Sequence, residues 1–225
     1  MAVSHNQRLK RKAAKAQKRK GVVADKRRDA KDLRAFKDEA GLALPPPPHE
    51  TRDMPVERCL LTQDFEATGS GTLVIARALP EGGLVAGIFL LDLWCHGIRD
   101  ARLEYPTVEE LDEDVADEAR FRPFAPFDPG RACRLMISAS ERCGRLEGEL
   151  LDFSLEIGSL FSGVAAAGDE WTFSRGGRIV YRPLSKESDQ DKEFTRNNLV
   201  DVFGENSFDE ELGADPVEAG SHFWA

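Results

Sequence analysis

A nearly unbroken apolar run, Leu84 to Leu91, dominates the hydrophobic pattern of this chain. It has the length of a strand that is buried on both faces. The segment before it, Thr72–Leu79, is rich in β-branched residues, and the turn sequence Pro-Glu-Gly-Gly separates the two. We therefore predict a hairpin in which Thr72–Leu79 pairs with Leu84–Cys95. Two further strands are expected on either side of this hairpin, Arg58–Gln63 and Ile98–Tyr105.

Apolar residues at spacings of three and four predict helices in the second half of the chain. These are Val108–Ala119, Gly130–Arg142, Leu150–Phe161 and Ser188–Phe203. The first is strongly acidic, with a solvated face that includes Glu118. Asp128 is expected to cap the second helix, and Cys143-Gly144 to end it. In the last helix the residues expected to face inward are Phe194, Leu199, Val202 and Phe203.

A second hairpin is predicted at Glu170–Tyr181, around Arg175-Gly176-Gly177. The elements together indicate an α+β fold: a small, mainly antiparallel sheet with two hairpins, covered by three or four helices. We interpret the run Pro45–Pro48 as a stiff spacer, and we expect the basic arm before it to be helical or disordered. The expected domains are a basic arm (1–44), a proline-rich linker (45–54), a globular domain (55–205) and an acidic tail (206–225).

Charge is divided unevenly along the chain, although the net charge is only −9. Residues 1–37 contain 14 Lys/Arg and three Asp, a charge of +11 that leaves −20 on the remainder. Like charges at helical spacing repel, and a phosphate backbone would relieve that repulsion and release counterions. We predict an RNA-binding arm, with a solubilising tail as the alternative. The expected nucleic-acid-binding residues are Arg8, Lys10, Arg11, Lys12, Lys15, Lys18, Arg19, Lys20, Lys26, Arg27 and Arg28.

The cysteines indicate a reducing, cytoplasmic setting. All four are scattered, with no C-x-x-C pair and no histidines at zinc-ligand spacing. We therefore expect no disulfide framework, no metal and no cofactor. No segment approaches the ~18 consecutive apolar residues of a membrane span, so no membrane partner is expected.

Four residues at the end of the apolar run are candidates for chemistry: Asp92, Cys95, His96 and Asp100. A Cys nucleophile beside a His base is the tempting interpretation. On a regular strand, however, Cys95 and His96 point to opposite faces. Asp92, Trp94 and His96 would share a face, with Asp92 and His96 on the order of 13 Å apart. The stronger interpretation makes Cys95 a buried apolar residue and the two aspartates structural anchors.

The segment 87–101, GIFLLDLWCHGIRDA, resembles a family of uncharacterised bacterial proteins with a G-x-F-L-x-D-[LYW]-x-C-x-G-[IV]-[KR]-D pattern. The matching residues are Gly87, Phe89, Leu90, Asp92, Cys95, Gly97, Ile98, Arg99 and Asp100. Where the family has an L-G-F-x-P-H segment, this chain has Leu146-Glu147-Gly148-Glu149 and no histidine. The resemblance implies a shared fold over about residues 55–205 and implies no activity.

Three hypotheses for function follow. The preferred one is a non-enzymatic binding protein whose arm contacts RNA or the ribosome, while the acidic body mediates a specific interaction. The second is a hydrolase-like enzyme with a pocket around Asp92, Cys95, His96 and Asp100. The third is a protein-interaction module that self-associates through the basic arm and the acidic body.

Overall fold

The structure is a computed structural model, and it describes residues 53–80, 82–147, 158–184 and 187–211. All of these lie in one compact unit, Pro47–Ala225. The predicted basic arm, most of the predicted linker, residues 150–157 of the third predicted helix, and the tail from residue 212 lie outside the described residues.

A five-stranded antiparallel sheet forms the centre of the fold, with strand order β4-β3-β2-β1-β5. Its strands are β1 (Val56–Thr62), β2 (Ser70–Ala78), β3 (Leu84–Asp92), β4 (Gly97–Glu104) and β5 (Phe124–Pro126). The predicted hairpin is confirmed, since β2 and β3 pair from Ala78↔Leu84 to Ser70↔Asp92. Between β1 and β2, the segment Phe65–Gly71 contains a one-turn helix, α1 (Phe65–Thr68), and the start of β2.

All nine residues of β3 are buried because helices cover both faces of the sheet. On one face, Val85 and Phe89 pack in a cluster with Leu135. On the other face, Ala86 and Ile88 pack in a second cluster that includes Leu111. This two-sided burial explains why the strand is an unbroken apolar run instead of an alternating one.

In the described part of the chain, three longer helices accompany the sheet: α2 (Val108–Ala119), α3 (Pro129–Glu147) and α4 (Asp189–Phe203). The hydroxyl of Thr107 and the carboxylate of Glu110 form a capping box at the start of α2. At the start of α3, Asp128 Oδ1 accepts a hydrogen bond from the Arg131 amide (2.8 Å), which confirms the predicted cap. Ser188 caps α4. These local signals account for the correct prediction of all three helix starts.

Helix ends and faces are less well predicted. Helix α3 continues past Gly144, because the added turn buries Leu146, whose side chain is 5% exposed. That burial outweighs the ~1 kcal/mol that a mid-helix glycine costs. In α4, Leu199 is buried as predicted, whereas Phe194 and Val202 are 36% and 37% exposed. Glu118, predicted to face solvent, is buried at the end of α2, where the chain turns towards β5.

The second hairpin prediction is wrong. Only an isolated bridge between Arg175 and Arg178 forms around the Gly-Gly turn. Strand β6 (Ile179–Tyr181) pairs instead in parallel with β7 (Phe208–Glu210), in a segment predicted to be acidic tail. The other side of β6 is also occupied, since the Val180 amide donates to the Trp94 carbonyl oxygen (3.0 Å). With both edges of β6 engaged, residues 170–174 have no strand to pair with.

The α+β class is therefore confirmed for the described part of the chain. In those residues, no helix is long and apolar enough to cross a membrane.

Candidate functional site

The turn between β3 and β4 brings the candidate residues together. Strand β3 ends at Asp92, three residues earlier than predicted, and β4 begins at Gly97. Asp92 Oδ1 accepts hydrogen bonds from the amides of Trp94 (2.9 Å) and Cys95 (3.0 Å), which folds the chain back on itself. This is the local side-chain-to-backbone bonding for which Asp is favoured in turns.

The early end of β3 overturns the separation expected between Asp92 and His96. Their Oδ2 and Nδ1 atoms lie 3.2 Å apart, not on the order of 13 Å as a regular strand would place them. Asp92, Trp94 and His96 consequently do not line one strand face. The side-chain donor atoms of Asp92, Cys95 and His96 all lie within 4.8 Å of one another. The alternation argument that kept Cys95 and His96 apart fails because the strand has already ended.

The fourth candidate is outside this group. Asp100 lies in β4, opposite Leu90. Its Oδ1 accepts a hydrogen bond from the neighbouring Ala101 amide (2.9 Å), which fits the predicted role of a structural anchor.

Two buried arginines border the turn. Arg142 of α3 donates from Nε to the Cys95 carbonyl oxygen (2.6 Å). The guanidinium carbon of Arg182 lies 4.5 Å from the centroid of the Trp94 ring. Among the described residues, Nη2 of Arg142 and both Nε and Nη2 of Arg182 have no hydrogen-bond partner. Positive charge therefore surrounds the turn.

A second ion-pair network lies on the β6 side of the turn. Arg99 is the extra residue of a bulge in β4. It donates from Nη1 to the Arg182 carbonyl oxygen (2.8 Å) and pairs through Nη2 with Glu187 Oε1 (2.6 Å). The other oxygen of Glu187 accepts from the Tyr181 hydroxyl (2.6 Å), and the Tyr181 ring lies 5.6 Å from the His96 ring. Burial, reinforced by Glu187, raises the pKa of Tyr181.

The charges of the cluster depend on one another. Burial alone would raise the pKa of Asp92, but the His96 hydrogen bond and the positive charge of Arg99 outweigh it, and the pKa is lowered. Burial alone would lower the pKa of His96, but the electrostatic interaction with Cys95 and the Asp92 hydrogen bond raise it to about 10. Asp92 and His96 therefore form an ion pair at neutral pH.

Access to the cluster is restricted. Asp92 and Cys95 have no exposed surface, and the side chain of His96 is 12% exposed. Cys95 packs with apolar residues that include Leu146, Ile179 and Leu199. Of the three side chains, His96 alone has solvent-exposed surface.

Several of these residues gave no local signal in the sequence. Arg142 and Arg182 lie between 40 and 100 positions from the turn and meet it through the packing of α3 and of the residue that follows β6. The prediction that no metal binds stays a prediction. Its premise, that possible ligands are scattered, is wrong for Asp92, Cys95 and His96.

The other cysteines provide a contrast. Cys59, Cys133 and Cys143 are buried and form no disulfide, as is also the case for Cys95. Burial raises the pKa of Cys59 to about 12, and Asp128 contributes in the same direction. The predicted nucleic-acid-binding residues, from Arg8 to Arg28, lie outside the described residues.

Comparison of the chain with protein-family models, with curated proteins and with solved structures finds no match.

Proposed function

We propose that this is a non-enzymatic binding protein whose basic N-terminal arm contacts RNA or the ribosome, and whose acidic body mediates a specific interaction. The observation that carries this proposal is the separation of charge, with +11 on residues 1–37 and −20 on the remainder. A segment with that charge density binds a phosphate backbone mainly by releasing counterions. The acidic body repels the same backbone, so that contact is confined to the arm.

The burial of the candidate cluster favours a binding role over catalysis. A nucleophile has to reach its substrate, and Cys95 has no exposed surface. Oδ1 of Asp92 is committed to two backbone amides. None of the four cysteines is in a disulfide, which accords with a reducing compartment, and we propose a cytoplasmic location.

The salt dependence of RNA binding tests the proposal. Replacing Arg8, Arg11, Lys15 and Lys18 with Gln should reduce the slope of log K against log salt by about 3, because each lost contact contributes about 0.7 for a single strand. The matched control exchanges Lys and Arg at the same four positions and preserves the charge. We expect this control to bind polyuridine and ribosomes as the unchanged protein does.

Equal binding by all three proteins would refute the proposal. If binding is absent throughout, light scattering at low and high salt tests the other assembly. Oligomers that dissociate with salt and disappear on deletion of residues 1–37 would indicate self-association through the arm and the acidic body.

One observation favours a second candidate, a thiol-dependent hydrolase. The contact between Asp92 Oδ2 and His96 Nδ1 orients a histidine beside Cys95, as in a nucleophile–base–acid arrangement. In such an enzyme Cys95 would react with iodoacetamide in the folded protein faster than the other three cysteines. Uniformly slow alkylation, followed by peptide mapping of the labelled sites, would eliminate this candidate.

A further inference from the structure

Three side chains of different ligand chemistry converge on the β3–β4 turn: a carboxylate, a thiol and an imidazole. We propose that Asp92, Cys95 and His96 form a binding site for a divalent cation of the zinc class. The site is independent of RNA binding by the arm.

The geometry needs only a small closure around the ion. The donor atoms of the three residues lie within 4.8 Å of one another. A tetrahedral zinc ion, with bonds of about 2.0–2.3 Å, holds its ligand atoms about 3.3–3.8 Å apart. The Oδ2–Nδ1 pair, at 3.2 Å, is already at that spacing. Binding therefore requires the ligand atoms of the three residues to close by at most about 1–1.5 Å.

The backbone of the turn is held by bonds that do not involve the ligand atoms, and a metal ion would replace the proton shared by Asp92 Oδ2 and His96 Nδ1. Asp92 uses Oδ1 for the amides of Trp94 and Cys95, so Oδ2 faces His96. Arg142 Nε fixes the Cys95 carbonyl oxygen, and the Val180 amide fixes the Trp94 carbonyl oxygen. Outer contacts of this kind orient metal ligands and raise the affinity of a site.

The ligand set selects the class of cation. Thiolate and imidazole favour zinc and its neighbours over magnesium or calcium, which require several oxygen ligands. One thiolate and one carboxylate neutralise a divalent ion. The positive charges of Arg142 and Arg182 then favour an anionic fourth ligand, such as hydroxide or chloride, over neutral water.

We place the fourth position on the side of His96, the one of the three ligands that has exposed surface. Asp92 and Cys95 are fully buried, whereas the His96 side chain is 12% exposed. The ion would bind first at the imidazole and then reach the carboxylate and the thiol. We therefore expect slow loading at a single site.

Cobalt titration of the full chain, after treatment with a chelator, tests the site. We expect one equivalent of Co2+ to produce a sulfur-to-cobalt charge-transfer band and the intense visible bands of tetrahedral coordination, and one equivalent of Zn2+ to remove them. Cys95→Ser should abolish the charge-transfer band. The matched control Cys133→Ser, which alters a buried cysteine of α3, should retain it.

His96→Gln keeps the test decisive if Cys95→Ser fails to fold, because His96 is the most exposed of the three. We expect its affinity for Co2+ to fall at least about tenfold while its circular dichroism spectrum is unchanged. A charge-transfer band that survives Cys95→Ser, or affinity that is unaltered by His96→Gln, would overturn the proposal. Failure of the unchanged protein to bind one equivalent of either ion would do the same.

Discussion

Gly97 permits the turn that brings Asp92, Cys95 and His96 together, and its replacement with alanine is the sharpest test of that arrangement. Gly97 has a φ of +86°, a conformation that a residue with a Cβ atom rarely adopts. A Cβ atom built on Gly97 would lie 2.4 Å from the Ala139 carbonyl oxygen in α3. Because that neighbour is helix backbone, it cannot move aside as a flexible side chain would.

The size of the effect follows from two contributions. A Cβ atom in the left-handed region costs about 1–2 kcal/mol. Forcing extra volume into a packed interface costs about 1–3 kcal/mol more. Gly177 separates these contributions, since its φ is +84° and a Cβ atom there would meet nothing within 4 Å. Both substitutions reduce the entropy of the unfolded chain equally, so that gain cancels in the comparison.

We therefore expect Gly97→Ala to lower the free energy of unfolding by about 1–3 kcal/mol more than Gly177→Ala does. At this chain length, the difference corresponds to roughly 2–12 °C in Tm. Urea denaturation followed by tryptophan fluorescence measures it, and Trp94 reports on the turn itself. Equal losses in the two variants would refute the close approach of the turn to α3.

Three further substitutions test the site and the fold. Asp92→Asn removes the negative charge that pairs with His96. We expect it to lower the free energy of unfolding by about 1–3 kcal/mol, as measured by urea titration at pH 7. A change in the free energy of unfolding that lies within experimental error would contradict the ion pair. The pKa of His96, about 10 in the folded protein, exceeds its unfolded value of about 6.5. Its stabilisation is therefore complete below about pH 6.5 and is lost as the pH rises towards 10. In chelator-treated protein, His96→Gln should remove this dependence, and parallel pH profiles of Tm for the two proteins would argue against it. Thr107→Ala breaks the capping box of α2 and should lower the free energy of unfolding by about 1 kcal/mol, whereas Thr107→Ser should leave it nearly unchanged. Equal losses of stability for the two variants in thermal melts would show that the cap contributes nothing.

The regular elements were predictable because their signals are local. The β-branched and apolar runs on either side of a Gly-Gly turn specify the β2–β3 hairpin within one continuous segment, Thr72 to Leu91. Thr107, Asp128 and Ser188 mark helix starts through bonds to amides three positions away. The exposed face of α4 was not predictable in the same way, since its neighbours, and not its own periodicity, decide what it covers.

The candidate site shows the same division. The sequence identified Asp92, Cys95 and His96 as unusual in an apolar stretch, but it predicted that the strand would continue to Cys95. The strand ends at Asp92 instead, because its carboxylate accepts hydrogen bonds from the amides of Trp94 and Cys95. A change of three residues in the strand end turned a separation on the order of 13 Å into a contact of 3.2 Å.

By itself, the sequence determined the charge of the N-terminal arm, the α+β class and the existence of the central hairpin. Each depends on composition or on contacts between near neighbours in the chain. Only the tertiary structure decided that β6 pairs with β7, and that Arg142 and Arg182 border the turn. Those contacts join residues tens of positions apart, and their geometry comes from packing whole elements together, a property that no local pattern encodes.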